Sequence, residues 1–179
     1  MIKIKAQKHS KTFRDIIQSF PKKLKAFDPC KNNIPISEYF GEGKGVRKAL
    51  NLLVEGGYIE EKEDFKGLYV FVDGNLPFYT GISKGIVRRI IQHTKGHDHN
   101  TSSLAYRIGK DSYQKESGNY QKMTRKAFDF KNYAGNAKAF LQSKNVAFIK
   151  IEDDFELYLF EIYCAMELQT LMMNKFHTH

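Results

Sequence analysis

The sequence contains no tryptophan, only two cysteines and only four prolines among its 179 residues. The cysteines, Cys30 and Cys164, are too far apart for a zinc-type spacing and too few for a disulfide framework, which indicates a reducing compartment. No run of residues approaches the roughly 18 apolar residues of a membrane span. The first residues alternate Ile and Lys and lack the apolar stretch of a secretory signal. We therefore expect a cytoplasmic protein.

Acidic residues are too few to balance the basic ones. The chain has 20 Asp and Glu against 29 Lys and Arg, a formal net charge of +9. The excess is local: residues 82–131 hold eleven basic and four acidic residues, and residues 1–25 hold eight basic residues and one Asp. Basic faces favour polyanions, because each neutralised phosphate releases counterions. The charge pattern indicates DNA or another nucleic acid as partner, although many basic proteins bind none.

The N-terminal residues 1–65 are predicted to form a basic helical extension. Apolar side chains recur at helical spacing over residues 10–26, and residues 46–54 form a second predicted helix that ends at a Gly-Gly pair. The Tyr58-Ile59 pair after that turn begins an extended piece. A helix, a turn and a strand in this order are also compatible with a winged-helix-like appendage, the alternative to a helical extension packed on the main domain.

The main domain is predicted to span residues 66–179, and 41% hydrophobic residues suffice for its core. The order of a two-stranded hairpin, helices, a third strand and a last helix predicts an α/β (α+β) fold with a small three-stranded mixed or antiparallel sheet flanked by helices. The polar residues 110–132 predict a long exposed insertion. The predicted strands are 68–72, 78–82 and 145–151; the predicted helices are 84–94, 101–109, 134–143 and 155–173.

Two glycine–tyrosine triplets lie in the predicted hairpin. Gly67-Leu68-Tyr69 is followed ten residues later by Tyr79-Thr80-Gly81, then by Arg89 ten residues after Tyr79 and by His93 four residues further on. This series resembles the signature of the GIY-YIG nuclease superfamily, with Leu68 and Thr80 as departures at the middle positions of the triplets. The resemblance covers about residues 66–176 and extends to a late-helix Glu161 and to Asn174.

The resemblance implies a metal-dependent endonuclease that hydrolyses DNA phosphodiester bonds. Arg89 would clamp the scissile phosphate, since a planar guanidinium donates two parallel hydrogen bonds. Glu161 would bind Mg²⁺ or Mn²⁺, hard cations that prefer oxygen ligands. Tyr69, Tyr79 or His93 would assist the attacking water, and the sequence does not choose between them.

Other residues have supporting roles in this prediction. Gly67 and Gly81 would allow close backbone approach, and Asn174 would hold the hairpin through hydrogen bonds. Glu161 lies on an otherwise apolar helical stripe, so a structural ion pair with Arg89 is the alternative to metal binding. His97 and His99 flank Asp98 in a predicted loop. Surface histidines are ordinary there, so this is a simpler interpretation than a metal-binding pair. The predicted DNA contacts are Lys84, Arg88, Lys95 and Arg107.

The biological role is open within the nuclease class. A catalytic domain with a short extension and a polar insertion favours a restriction-type or mobile-element enzyme over a repair nuclease. Cleavage of both strands with one site per chain makes a homodimer plausible. The alternative from another class is a catalytically silent nucleic-acid-binding module on the same scaffold.

Overall fold

The computed structural model describes residues 11–118, 129–171, 173 and 174. Within this part of the chain it has seven helices and four strands, so the predicted mixed α/β class is confirmed. The strands are β1 (Ile34–Pro35), β2 (Gly67–Asp73), β3 (Leu76–Ser83) and β4 (Asn145–Lys150). The helices are α1 (Phe13–Phe27), α2 (Ile36–Phe40), α3 (Val46–Glu55), α4 (Ile86–Lys95), α5 (Ser103–Ser117), α6 (Phe130–Gln142) and α7 (Asp154–Glu167).

The strands form one antiparallel sheet in the order β1-β4-β2-β3. The predicted count of three strands is wrong by one, because β1 adds a two-residue strand beside β4. Ile34 pairs with Val146 and Pro35 with Asn145. Proline is tolerated there, since an edge strand leaves one side of its main chain without a ladder partner.

Strand β2 lies inside the sheet and is covered on both faces. Its residues 67–72 are all buried, and successive side chains point to opposite faces. Tyr69 and Phe71 therefore enter one core, which we call the Tyr69 core, while Leu68 and Val70 enter the Leu68 core on the other face. Gly74, at a φ of 59°, closes the hairpin to β3 in a conformation that glycine adopts without steric cost.

Helices complete both layers. Helices α2 to α6 contribute buried side chains to the Tyr69 core, and α1 and α7 contribute to the Leu68 core. The rings of Phe20 on α1 and Phe160 on α7 lie 5.1 Å apart between centroids. Lys23 on α1 forms an ion pair with the buried carboxylate of Glu156 on α7. The N-terminal helices thus share both cores with the sheet.

The residues between α3 and β2 do not form the extended piece predicted at Tyr58. They lie in a loop, so the strand that a winged-helix-like appendage needs after α3 is not formed there. Gly57 turns the chain at a φ of 72° immediately after α3. Tyr58 instead packs its ring edge-on against Tyr39, 5.2 Å away between centroids.

The exposed loop predicted for residues 110–132 is wrong over its first part, because α5 continues to Ser117. The polar second half of α5 packs against α6, where the rings of Tyr113 and Tyr133 lie 4.9 Å apart between centroids. Gly109 also lets the two helices approach closely, since an added Cβ would lie 3.0 Å from the carbonyl oxygen of Tyr133. Residues 119–128, the rest of the predicted insertion before α6, lie outside the described ones.

Helix α7 ends at Glu167, six residues earlier than predicted. Gln169 adopts a φ of 55°, which turns the chain away from the helix axis. The turn brings Thr170 and Asn174 to strand β3. None of the helices described is long and apolar enough to cross a membrane.

Candidate functional site

The hairpin of β2 and β3 brings the two motif tyrosines together. Tyr69 pairs with Gly81 and Phe71 with Tyr79 across the ladder, so both phenol rings lie on the same face of the sheet. Their centroids are 6.0 Å apart. Tyr69 is 1% exposed and Tyr79 8% exposed, so Tyr79 is the phenol with more access to solvent.

The motif glycines each remove a steric clash. A Cβ on Gly81 would lie 2.6 Å from the hydroxyl oxygen of Tyr69 and 2.7 Å from its Cζ. A Cβ on Gly67 would collide with the carbonyl oxygen of Ile149 on the neighbouring strand β4. Gly81 therefore makes room for the phenol, and Gly67 permits the pairing of β2 with β4.

The variant Gly81→Ala is expected to displace Tyr69, because this buried ring has little room to move. We expect cleavage to fall about 100-fold, the effect of displacing a site group by about 1 Å, and the free energy of unfolding to fall by about 1–3 kcal/mol. Plasmid cleavage and urea denaturation measure the two effects.

Gly135→Ala is the matched control for this variant. An added Cβ at Gly135, inside α6, meets no atom within 4 Å. The control is expected to gain about 0.5–1 kcal/mol of stability, since alanine is the better helix former. Normal activity in Gly81→Ala would contradict the role assigned to this glycine.

Helix α4 presents His93 to the phenols. Its Nε2 lies 2.7 Å from the hydroxyl oxygen of Tyr69, in a buried hydrogen bond. The imidazole centroid is 5.7 Å from that of Tyr69 and 5.8 Å from that of Tyr79. Three side chains predicted from the sequence as site residues thus form one buried cluster, which we call the Tyr–His cluster: Tyr69, Tyr79 and His93.

Arg89 lies one turn before His93 on the same helix and is half-buried. Its guanidinium donates to the hydroxyl of Ser103 at 2.8 Å and, at 3.3 Å each, to the carbonyl of Thr101 and the amide oxygen of Gln92. Among the described residues it forms no ion pair. Neutral oxygens therefore hold the guanidinium and leave its charge without a carboxylate partner.

The surroundings set the protonation of the cluster. Burial, together with the positive charges of Arg89 and Arg107, holds the pKa of His93 well below its ordinary value. Burial and the neighbouring phenol of Tyr79 raise the pKa of Tyr69 well above its ordinary value, and Arg89 opposes that shift. At neutral pH the site therefore combines neutral Tyr69, neutral His93 and positive Arg89.

Glu161 lies on α7, which packs in the Leu68 core. It is half-buried and makes no hydrogen bond or ion pair with any residue that the structure describes, so the alternative of an ion pair with Arg89 is not formed. Burial raises the pKa of its carboxyl to about 7. No hydrogen bond or ion pair joins Glu161 to the Tyr–His cluster in the described part of the chain.

Asn174 bonds to the main chain of β3. Its side-chain oxygen accepts from the N–H of Thr80 at 3.0 Å, and its side-chain nitrogen donates to the carbonyl of the same residue. The hydroxyls of Thr80 and Thr170 lie 3.0 Å apart. The segment after α7 is therefore joined to the hairpin at the middle residue of the second triplet.

The four basic residues predicted to contact DNA have different surroundings. Lys84 and Arg88 are exposed. Arg107 donates to the carbonyl of Met173 at 2.8 Å. The ammonium of Lys95 donates to the carbonyls of Gly41 and Lys44, at 2.6 Å each, and so joins α4 to the loop between α2 and α3.

Two polar residues that support the site are absent from the sequence predictions. Ser103 accepts the hydrogen bond of Arg89. Asp64 caps α4 from outside the helix, because its carboxylate accepts from the N–H groups of Val87 and Arg88 at 2.9 and 3.0 Å. A carboxylate is favourable at a helix N-terminus. Neither contact has a local sequence signal, since Asp64 belongs to an acidic run and Ser103 to a serine pair.

The described residues contain no group of three or more His, Cys, Asp or Glu side chains that could hold a metal ion. His97 is exposed, and His99 packs against the ring of Tyr106 at 6.1 Å between centroids. A cavity of about 630 Å³ lies beside Phe65 and Lys84 and is lined by side chains of both charge signs, but by none of the Tyr–His cluster.

In comparisons with known proteins, no family model matches the chain, and neither a curated protein nor a solved structure gives a significant match. The functional conclusion therefore depends on the chemistry of the Tyr–His cluster and of the charged side chains around it.

Proposed function

We propose that this chain is a metal-dependent endonuclease that hydrolyses DNA phosphodiester bonds with a GIY-YIG-like site. The observation that carries the proposal is the buried Tyr–His cluster, with its 2.7 Å bond between Tyr69 and His93, beside an Arg89 that no described carboxylate neutralises. A structural arginine near a buried cluster would ordinarily be paired with an acid. An unpaired one suits an anion that arrives from outside.

In the proposed reaction Arg89 binds the scissile phosphate. Hydrolysis increases the negative charge on the phosphate oxygens, and a guanidinium that is already in place stabilises that charge without reorganisation. The bonds from Arg89 to Ser103, Thr101 and Gln92 fix its position. Because of this preorganisation, we expect the loss of Arg89 to have a large effect on rate.

The two phenols differ in their exposure to solvent, and we assign their roles in the reaction from that difference. Tyr79 is the more accessible one, so we assign it the contact with the attacking water. Tyr69 and His93 are almost completely buried and act through Tyr79 as positioning residues. Of these three side chains, Tyr79 is therefore the one that we propose to assist the attacking water.

Glu161 is the residue that would hold the metal ion. A half-buried carboxyl with a pKa raised to about 7 and no basic partner among the described residues lacks charge compensation, and a cation would supply it. Because no larger ligand group is described, water would complete the shell, as Mg²⁺ prefers. When bound, Mg²⁺ or Mn²⁺ would stabilise negative charge on the phosphate and the leaving oxygen.

The DNA would approach from the side of α4. Lys84 and Arg88 are exposed and form no ion pair with any residue described, so both are available to phosphates. Lys95 is left out of the proposed contacts because its ammonium is bound to two carbonyls. The basic residues that precede Lys11 lie outside the described part of the chain and are not assigned to this surface.

Cleavage of supercoiled plasmid in Mg²⁺, Mn²⁺ or EDTA tests the proposal. We expect nicking or linearisation in either metal and none in EDTA, because the metal would add charge stabilisation to that supplied by Arg89. Discrete fragments would favour a restriction-type or mobile-element enzyme, and direct linearisation would favour two sites in a homodimer. Salt-sensitive plasmid binding without cleavage would contradict the proposal and support the silent nucleic-acid-binding module.

A further inference from the structure

We propose that the first turn of α5 is a positioning element of the site, which orients Arg89 through Ser103 and fixes the tautomer of His93 through the main chain of Leu104. The catalytic consequence rests on the proposed nuclease function, whereas the tautomer is a property of the folded chain alone.

Three consecutive residues at the start of α5 bond to the two functional residues of α4. The hydroxyl of Ser102 donates to the carbonyl of His93 at 2.6 Å. The hydroxyl of Ser103 accepts from the guanidinium of Arg89 at 2.8 Å. The main-chain N–H of Leu104 donates to Nδ1 of His93 at 3.4 Å. One turn of helix therefore holds both side chains.

The preceding loop fixes where this turn lies. The carboxylate of Asp98 accepts from the N–H groups of Asn100 and Thr101 at 2.8 and 2.9 Å. The N–H of Ser102 donates to the carbonyl of Asp98 at 2.9 Å. These local bonds order the connection from α4 to α5, so the turn is held in place before any substrate binds.

The bond to Leu104 determines where the imidazole carries its proton. A neutral imidazole has one N–H, and Nδ1 must be unprotonated because it accepts from the main chain. The proton of His93 is therefore on Nε2, which donates to the hydroxyl oxygen of Tyr69. The proton of Tyr69 is then free to be donated to another oxygen, and the phenol of Tyr79 is its neighbour.

The charged and titratable groups around His93 agree with a neutral ring. Arg89 and Arg107 contribute positive charge, and burial opposes protonation, so the pKa of His93 lies well below its ordinary value. The other titratable neighbours are the phenols of Tyr69 and Tyr79. No described carboxylate bonds to the ring to offset these effects.

The tautomer is measured by the ¹⁵N and ¹H NMR signals of the imidazoles of the full chain at pH 7, without DNA or metal. His93→Gln identifies the His93 signals by their loss. The expected result is a neutral ring with the proton on Nε2. A proton on Nδ1, or a doubly protonated ring, would overturn the assignment to Leu104.

The role of Ser103 is measured by the kinetics of plasmid nicking. Ser103→Ala is expected to lower kcat about tenfold with little change in KM, the order of magnitude of a hydrogen bond to a charged group, while Ser103→Thr retains the hydroxyl and restores the rate. Ser19→Ala, at an exposed position of α1, is the control and should leave the rate unchanged.

The two readouts separate the inference from the proposed function. An unchanged rate in Ser103→Ala, or a failure of Ser103→Thr to restore it, would overturn the part that concerns Arg89. If the parent chain cleaves no DNA in any metal, the proposed function fails, and the NMR result alone decides whether α5 sets the state of His93.

Discussion

Replacing Arg89 with alanine is expected to lower the rate of plasmid cleavage about 1,000-fold, the effect of removing one preorganised group that stabilises the transition state. The fold should remain, because Arg89 forms no ion pair with a described residue and only neutral oxygens lose a donor. We expect the free energy of unfolding to change by about 1 kcal/mol or less. Single-turnover cleavage and urea denaturation provide the two measurements.

Arg88→Ala is the matched control, since it removes the same charge from the adjacent and exposed position of α4. It should weaken DNA binding modestly and reduce its salt dependence, with little effect on the rate of the bound complex. Equal losses of rate in both variants would indicate that only the net charge of α4 matters. Cleavage at the parent rate in Arg89→Ala would remove Arg89 from the site.

Replacing Glu161 with glutamine is expected to lower the rate of metal-dependent cleavage about 1,000-fold, as for Arg89→Ala, because the amide lacks the negative charge that holds the cation. The same change should stabilise the metal-free protein. Calorimetric titration with Mn²⁺ and plasmid cleavage measure the first effect, and urea denaturation in EDTA measures the second.

The sign of the stability change follows from the pKa of Glu161. Burial raises it from 4.5 to about 7. The folded state therefore binds a proton more tightly than the unfolded state, so the carboxyl destabilises the fold increasingly as pH rises from 4.5 to 7 and fully above 7. After allowance for partial exposure, Glu161→Gln should raise the free energy of unfolding by about 1–2 kcal/mol at pH 8 and leave it unchanged at pH 4.

Glu167→Gln serves as control, because Glu167 is exposed at the end of the same helix. It should retain cleavage, metal affinity and stability at both pH values. A Glu161→Gln protein that cleaves normally would exclude Glu161 as the metal ligand. A loss of cleavage without the gain in stability at pH 8 would instead show that the metal-free carboxyl is already neutralised by another group.

The parts of the fold that the sequence predicts correctly are those with strong local patterns. A run of β-branched and aromatic residues before the Asp73-Gly74-Asn75 turn predicts the hairpin of β2 and β3, which the structure has. Apolar side chains at helical spacing likewise predict α1, α3 and α4. In each case the residues of the buried face are close together in the sequence, so the pattern is recognisable without any distant part of the chain.

The elements that the sequence predicts incorrectly are stabilised by distant contacts. Strand β1 is only two residues long and exists because β4 offers a free edge. The second half of α5 is polar and resembles a loop, but Tyr113 and Gly109 pack against α6. The early end of α7 depends on a positive φ at Gln169 rather than on a glycine, and so gives no stop signal.

The same distinction applies to the site. The motif spacing alone selects four site residues: Tyr69, Tyr79, Arg89 and His93. The structure brings these residues near one another. Their hydrogen-bond partners cannot be predicted in this way. Ser103 acts from the next helix, so its role depends on tertiary structure that a single sequence pattern does not contain.

Strand β3 is the last strand of the sheet, and its outer edge would ordinarily be able to pair with a strand from another molecule. The amide of Asn174 occupies that edge at Thr80, where it bonds to both the N–H and the carbonyl as an additional strand would. One side chain therefore fills the main-chain positions of Thr80 that an added strand would use. The blocked edge at Thr80 and the geometry of the second triplet consequently depend on the same residue.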